Sequence, residues 1–109
     1  MKIYLVKTCT ACPEQYDAFL DAPDGPKAGY LRLRHGAFRV DYPDAGDETI
    51  YRASPNGDGE FDDDERDYYL RFAVAAIIDR IKNGPKDPKP PPPDVDYEII
   101  DYEDERYPK

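Results

Sequence analysis

The sequence predicts an α+β fold: a small, mainly antiparallel β-sheet packed against one long C-terminal helix, followed by a Pro-rich acidic tail. Three observations lead there. Short runs in the first half alternate apolar and polar residues, the period of a half-buried strand. From Asp62 to Asn83 the apolar residues recur with helical spacing. After Gly84 and Pro85 come Pro88, Pro90, Pro91, Pro92 and Pro93, which cannot continue a helix. A chain of 109 residues has room for one such unit. Residues 1–83 read as the domain, 84–93 as a stiff Pro-rich linker of polyproline II type, and 94–109 as an acidic, Tyr-rich tail.

In chain order, Met1–Lys7 reads as a strand. Glu14–Asp21 fits either a strand or a short helix, and Pro23-Asp24-Gly25-Pro26 demands a turn after it. Tyr30–Arg34 and Ala37–Asp41 form the clearest hairpin, turning at His35-Gly36. A two-residue loop sets Leu33 opposite Phe38 and Leu31 opposite Val40, giving one apolar face. The same register sets Arg32 opposite Arg39 on the other face, where like charges cost stability unless an anion joins them. Thr49–Ala53 is a further strand. Asp62 is placed to cap the helix, with Glu65 completing a capping box. Asp63 and Asp64 suit its N-terminus, and Lys82 its C-terminus. Tyr69, Leu70, Ala73, Val74, Ile77 and Ile81 gather on one helix side, and Arg71, Ala75, Asp79 and Lys82 on the other. The tail holds Tyr97, Ile99, Ile100, Tyr102 and Tyr107. Disordered tails are poor in aromatics, so this one is expected to dock on its own domain, a second copy, or a partner.

Composition narrows the function. The net charge is −9, which opposes direct binding of a nucleic-acid backbone. It permits binding a basic partner or imitating a phosphate backbone. No apolar run is long enough to span a membrane, and the start lacks a signal-peptide pattern, so the expected location is the cytoplasm. There is one His (His35) and one Ser (Ser54), and Ser54 precedes a proline. Neither a nucleophile elbow nor a phosphate-cradling Gly loop is present. The expectation is a protein that is not an enzyme, with no required cofactor.

Three constellations carry alternatives. Cys9-Thr10-Ala11-Cys12-Pro13 follows a strand-like start and resembles the redox motif of glutaredoxin-like proteins. The resemblance implies thiol–disulfide chemistry at Cys9 and Cys12. That family's second βα unit is missing, and Tyr42-Pro43 is a poor match to its Val-Pro pair. A zinc site would need two more ligands, with His35 the only other soft one. Ser54–Glu65 resembles an EF-hand calcium loop, with Asn56, Asp58, Glu60, Asp62 and Glu65 as candidate Ca²⁺ ligands and Gly59 at the turn position. Ser54 departs from it by replacing the first carboxylate.

The third constellation is charge segregation. Residues 25–40 hold Lys27, Arg32, Arg34 and Arg39 and no acid, whereas residues 41–65 hold ten acids and Arg52 alone. Arg32, Arg34 and Arg39 are therefore the candidate site for an anion or for the acidic tail. Asp101, Glu103, Asp104, Glu105, Tyr97 and Tyr102 are the candidate partner-binding residues of the tail.

Cys12-Pro13-Glu14-Gln15 and Leu31-Arg32-Leu33-Arg34-His35-Gly36-Ala37-Phe38 together resemble small accessory proteins of actinobacterial phages, over residues 12–80. The resemblance implies a strand at Glu14–Asp21. It also implies a phage-type inhibitor of a host defence protein, working in the host cytoplasm by contact with a basic protein. The alternatives are the thiol–disulfide protein and the calcium-binding module; a homodimer is compatible with each.

Overall fold

The structure, a computed structural model, describes residues 1–9, 13–84 and 95–101. The elements in order are β1 (Lys2–Cys9), β2 (Glu14–Leu20), β3 (Lys27–Arg34), β4 (Ala37–Tyr42), β5 (Glu48–Ala53), α1 (Arg66–Asn83) and β6 (Asp96–Asp101). One sheet contains all six strands, in the order β5-β4-β3-β2-β1-β6. Each strand from β1 to β5 pairs antiparallel with the next. β6 runs parallel to β1, from Lys2 opposite Asp96 to Lys7 opposite Asp101.

The α+β class is the one the sequence predicts, with two corrections. The helix is not C-terminal, because β6 follows it. The segment 96–101 therefore docks on its own domain, where Tyr97 packs against the core and Ile100 is buried beside Val6. The helix also begins at Arg66, not Asp62. The Asp62 carboxylate does not cap it. Only the reciprocal half of the capping box forms: Glu65 Oε2 accepts the Asp62 N–H at 3.0 Å. The Asp62 carbonyl meanwhile receives the N–H groups of Glu65 and Arg66. The Pro-rich stretch lies outside the described residues.

The β3–β4 hairpin has the expected register, Leu33 opposite Phe38 and Leu31 opposite Val40. His35 and Gly36 both take positive φ, 53° and 73°, the backbone a two-residue hairpin turn requires. Glu14–Leu20 is a strand, and the Gly25 N–H bonds to the Ala22 carbonyl in the turn that follows.

One sheet face packs under α1. Ile3, Leu5, Ala18, Leu31, Leu33, Phe38 and Val40 meet Leu70, Ala73, Val74 and Ile77 there, and Phe61 closes one end. Full burial of a large aliphatic side chain contributes about 1.5–3 kcal/mol, so this face is the main source of stability. Gly29 lets the helix come close: a Cβ there would sit 3.1 Å from Ile77 Cδ1. Ala75, placed on the outer side by the helical pattern, is buried as well. Its methyl stands lower than the Arg71 and Asp79 chains one turn away on either side. No helix among the described residues is long and apolar enough to cross a membrane.

Candidate functional site

The face of the sheet opposite α1 carries the arginines. Arg32 pairs with Arg39, and Arg39 with Arg52, across β3, β4 and β5. Neighbouring strands lie about 4.8 Å apart, so three guanidinium stems stand side by side. With Arg34, His35 and Ser54 they line an open depression of about 620 Å³ whose lining contains no acid. The ladder is poorly satisfied from within. Arg32 Nε and Arg39 Nε are buried and have no hydrogen-bond acceptor. Arg39 Nε does lie 3.4 Å from Asp41 Oδ2, but out of hydrogen-bond geometry; the charge attraction is real and the donor is still unused. Asp41 is itself committed, accepting from Thr49 Oγ1 at 2.7 Å and from the Gly46 N–H at 3.1 Å. A buried donor without an acceptor costs about 1–3 kcal/mol.

The loop between β5 and α1 crosses the end of the sheet. Its carbonyls at Asp58 and Gly59 accept the N–H groups of Gly36 and Glu14, both at 2.7 Å. Glu14, 1% exposed, pins it from below. The Glu14 carboxylate accepts from the Phe61 N–H at 3.1 Å, from Arg66 Nε at 3.0 Å and Arg66 NH2 at 3.2 Å, and from the Tyr16 hydroxyl. Burial alone would raise the Glu14 pKa, but the Arg66, Tyr16 and Phe61 hydrogen bonds outweigh it and hold the group below its ordinary value. Burial and the adjacent Glu14 carboxylate push the Tyr16 hydroxyl well above the usual tyrosine range.

Glu65 binds the loop from the other side. Its carboxylate accepts the N–H groups of Asn56 and Gly57 at 2.8 Å and that of Asp62 at 3.0 Å. This is the residue the calcium reading assigns to grip the ion, and it grips the loop backbone instead. Asn56, Asp58, Glu60, Asp62 and Glu65 are not gathered into a cradle: among the described residues no three His, Cys, Asp or Glu side chains are placed to hold a metal.

Anchored in this way, the loop presents Asp58, Glu60, Asp62, Asp63 and Asp64 to solvent. Tyr68, 57% exposed, stands one helical turn after Asp64. Its ring lies 4.8 Å from Phe72 and 5.0 Å from Tyr69, and Phe72 stacks on Tyr51 at 6.4 Å. The result is a fixed aromatic edge with acids beside it. No carboxylate of the loop comes within 4 Å of the ladder among the described residues, although the two share one end of the sheet.

No known protein family, curated protein or solved structure matches this chain.

The sequence-predicted residues fall as follows. Arg32, Arg34 and Arg39 are brought together. Of the tail candidates, Asp101 is exposed at the end of β6, and the Tyr97 hydroxyl donates to Asp67 while its ring faces Arg71. Tyr102, Glu103, Asp104 and Glu105 lie outside the described residues. Cys9 ends β1, its backbone opposite Gln15, and Cys12 lies outside the described residues. β1 and β2 are consecutive antiparallel strands, and the chain is already in β2 from Glu14 to Leu20, where the glutaredoxin-like reading needs a helix following the cysteines. The Tyr42–Pro43 bond is cis but sits at the far end of the sheet from Cys9, three strands away. Sequence reasoning missed Arg52, Glu14, Arg66 and Tyr68. Arg52 carried a signal: it is the single base among ten acids, on a strand following the arginine hairpin.

Proposed function

We propose that this is a non-enzymatic binding protein that docks on a basic partner protein through the acidic loop 58–64 and the Tyr68 edge. The observation that supports it most is the pairing of an exposed, packed aromatic with acids on a backbone fixed by Glu14 and Glu65. Aromatic anchors ringed by polar groups dominate protein interfaces. A loop already held in place loses little further entropy on binding. The spaced carboxylates present charge as a phosphate backbone does, so a groove that accepts nucleic acid is a natural docking surface. With the resemblance to phage accessory proteins, this makes an inhibitor of a host defence protein the specific form of the proposal, acting in the host cytoplasm.

The test is affinity capture from host lysate, compared across variants and salt concentrations. Tyr68→Ala should weaken capture of the partner about 30-fold, the effect of losing an interface anchor worth about 2 kcal/mol. Neutralising Asp58, Glu60 and Asp64 together should slow association and flatten its salt dependence, since steering by exposed charge is screened over about 8–10 Å. A captured species that ignores both changes would contradict the proposal.

A further inference from the structure

The ladder on the other face is not explained by an acidic docking loop. We infer that Arg32, Arg39 and Arg52, with Arg34 and His35 at the rim, form a binding site for a compact polyphosphate group.

Three observations carry this. First, the arginines are aligned by the strand register, so their proximity is built into β3, β4 and β5. Like charges placed directly opposite one another destabilise a sheet. Second, the chain has carboxylates to spare and uses them on five of its other described cations, though not on Lys7 or Lys82. Lys2 pairs with Glu98, Lys27 with Asp17 and Asp44, Arg66 with Glu14 and Asp63, Arg71 with Asp67, and Arg80 with Glu48. In the ladder only Arg39 has a carboxylate near it among the described residues, and that one is already engaged. Third, two buried guanidinium N–H donors at the ladder meet no acceptor. The ladder is therefore not satisfied from within the described residues.

The chemistry of the lining selects the ligand. Guanidinium groups match phosphoryl oxygens with paired, planar donors. Several in a row favour several linked phosphoryl groups over one. The Phe38 ring is in the core, so among the described residues the lining offers a base only the His35 imidazole at the rim. Extended single-stranded nucleic acid needs aromatic platforms along a basic groove, and the acidic loop at the same end of the sheet repels a long polyanion. A short polyphosphate fits: inorganic tripolyphosphate, or the phosphate end of a nucleotide.

The experiment is isothermal titration of the full chain at 150 mM NaCl with tripolyphosphate, orthophosphate, ATP and a short single-stranded oligonucleotide. Tripolyphosphate should bind 1:1 and at least about tenfold more tightly than orthophosphate. Equal affinity for ATP places recognition in the phosphates; tighter ATP binding makes the nucleotide the source. Arg34→Gln and Arg52→Gln change exposed side chains, so both should fold, and each should weaken tripolyphosphate about tenfold, the loss of one charge-assisted contact. Lys2→Gln removes the same charge on β1, two strands from β3, and should leave affinity unchanged. The proposal is overturned if Lys2→Gln weakens binding as much as Arg52→Gln. It is also overturned if the oligonucleotide binds more tightly than tripolyphosphate. It fails too if tripolyphosphate binds only after Glu103, Asp104 and Glu105 are neutralised, which would make the ladder the tail's own partner.

Discussion

Two groups of charges lie on opposite faces of the same sheet and are built in opposite ways. Under the helix, the single carboxylate of Glu14 receives Arg66, the Tyr16 hydroxyl and a backbone N–H. On the open face, Arg32, Arg39 and Arg52 stand in a row, and the buried Nε donors of Arg32 and Arg39 are unused. The first arrangement is closed and has nothing left to offer a ligand. The second is open and costs the fold stability. A closed buried charge cluster serves architecture, here by fixing the loop that carries the acids. An open one is worth keeping only where something else completes it.

The largest expected effect falls on the closed side. Glu14→Ala strands the Arg66 guanidinium and the Phe61 N–H, so urea unfolding should show a loss of about 3 kcal/mol. The figure sits at the low end for a buried pair because Arg66 is 25% exposed and keeps Asp63. The same carboxylate sets a pH dependence. Its pKa lies below the ordinary 4.5 in the folded chain, so the unfolded chain binds the proton more readily. The stabilisation is complete above about pH 5 and disappears as pH falls through the lower folded value. Glu14→Gln should flatten the stability profile in that acid range. An unchanged profile would mean that Glu14 is not the closed cluster described here.

A smaller effect separates the loop from a metal site. The Glu65 carboxylate is already taken by three backbone N–H groups. Millimolar calcium should therefore stabilise the chain by less than about 1 kcal/mol. A large shift of the melting midpoint, reversed by chelator, would show that the carboxylates can open to a cation.

The contrast between the two clusters was unevenly legible in the sequence. The β3–β4 hairpin could be read in full, because alternation and the His35-Gly36 turn together fix register, and register alone places Arg32 against Arg39. Arg52 could not be added, because the β4–β5 register shifts between Val40 and Asp41 and a bulge is invisible to a period of two. The Glu14–Arg66 contact spans 52 residues, and nothing local marks either partner. Asp62 and Glu65 looked like a capping pair or calcium ligands, since both readings use the same letters. What decided between them was where the Asn56 and Gly57 N–H groups point. β6 was hidden for a different reason. A parallel edge strand after a proline stretch has no turn to announce its partner, so Tyr97 and Ile100 signalled docking without saying where.

The most direct test of the open cluster is thermal unfolding of the full chain and of Arg52→Gln, each with and without tripolyphosphate. Without ligand the variant should be the more stable, by about 0.2–1 kcal/mol, because a like-charge neighbour is gone. Saturating tripolyphosphate should raise the melting midpoint of the unaltered chain and do so much less for the variant. An Arg52→Gln chain that melts lower than the original and keeps the full ligand shift would contradict the account. The ladder would then be a structural element, and its arginines would not be held for an outside anion.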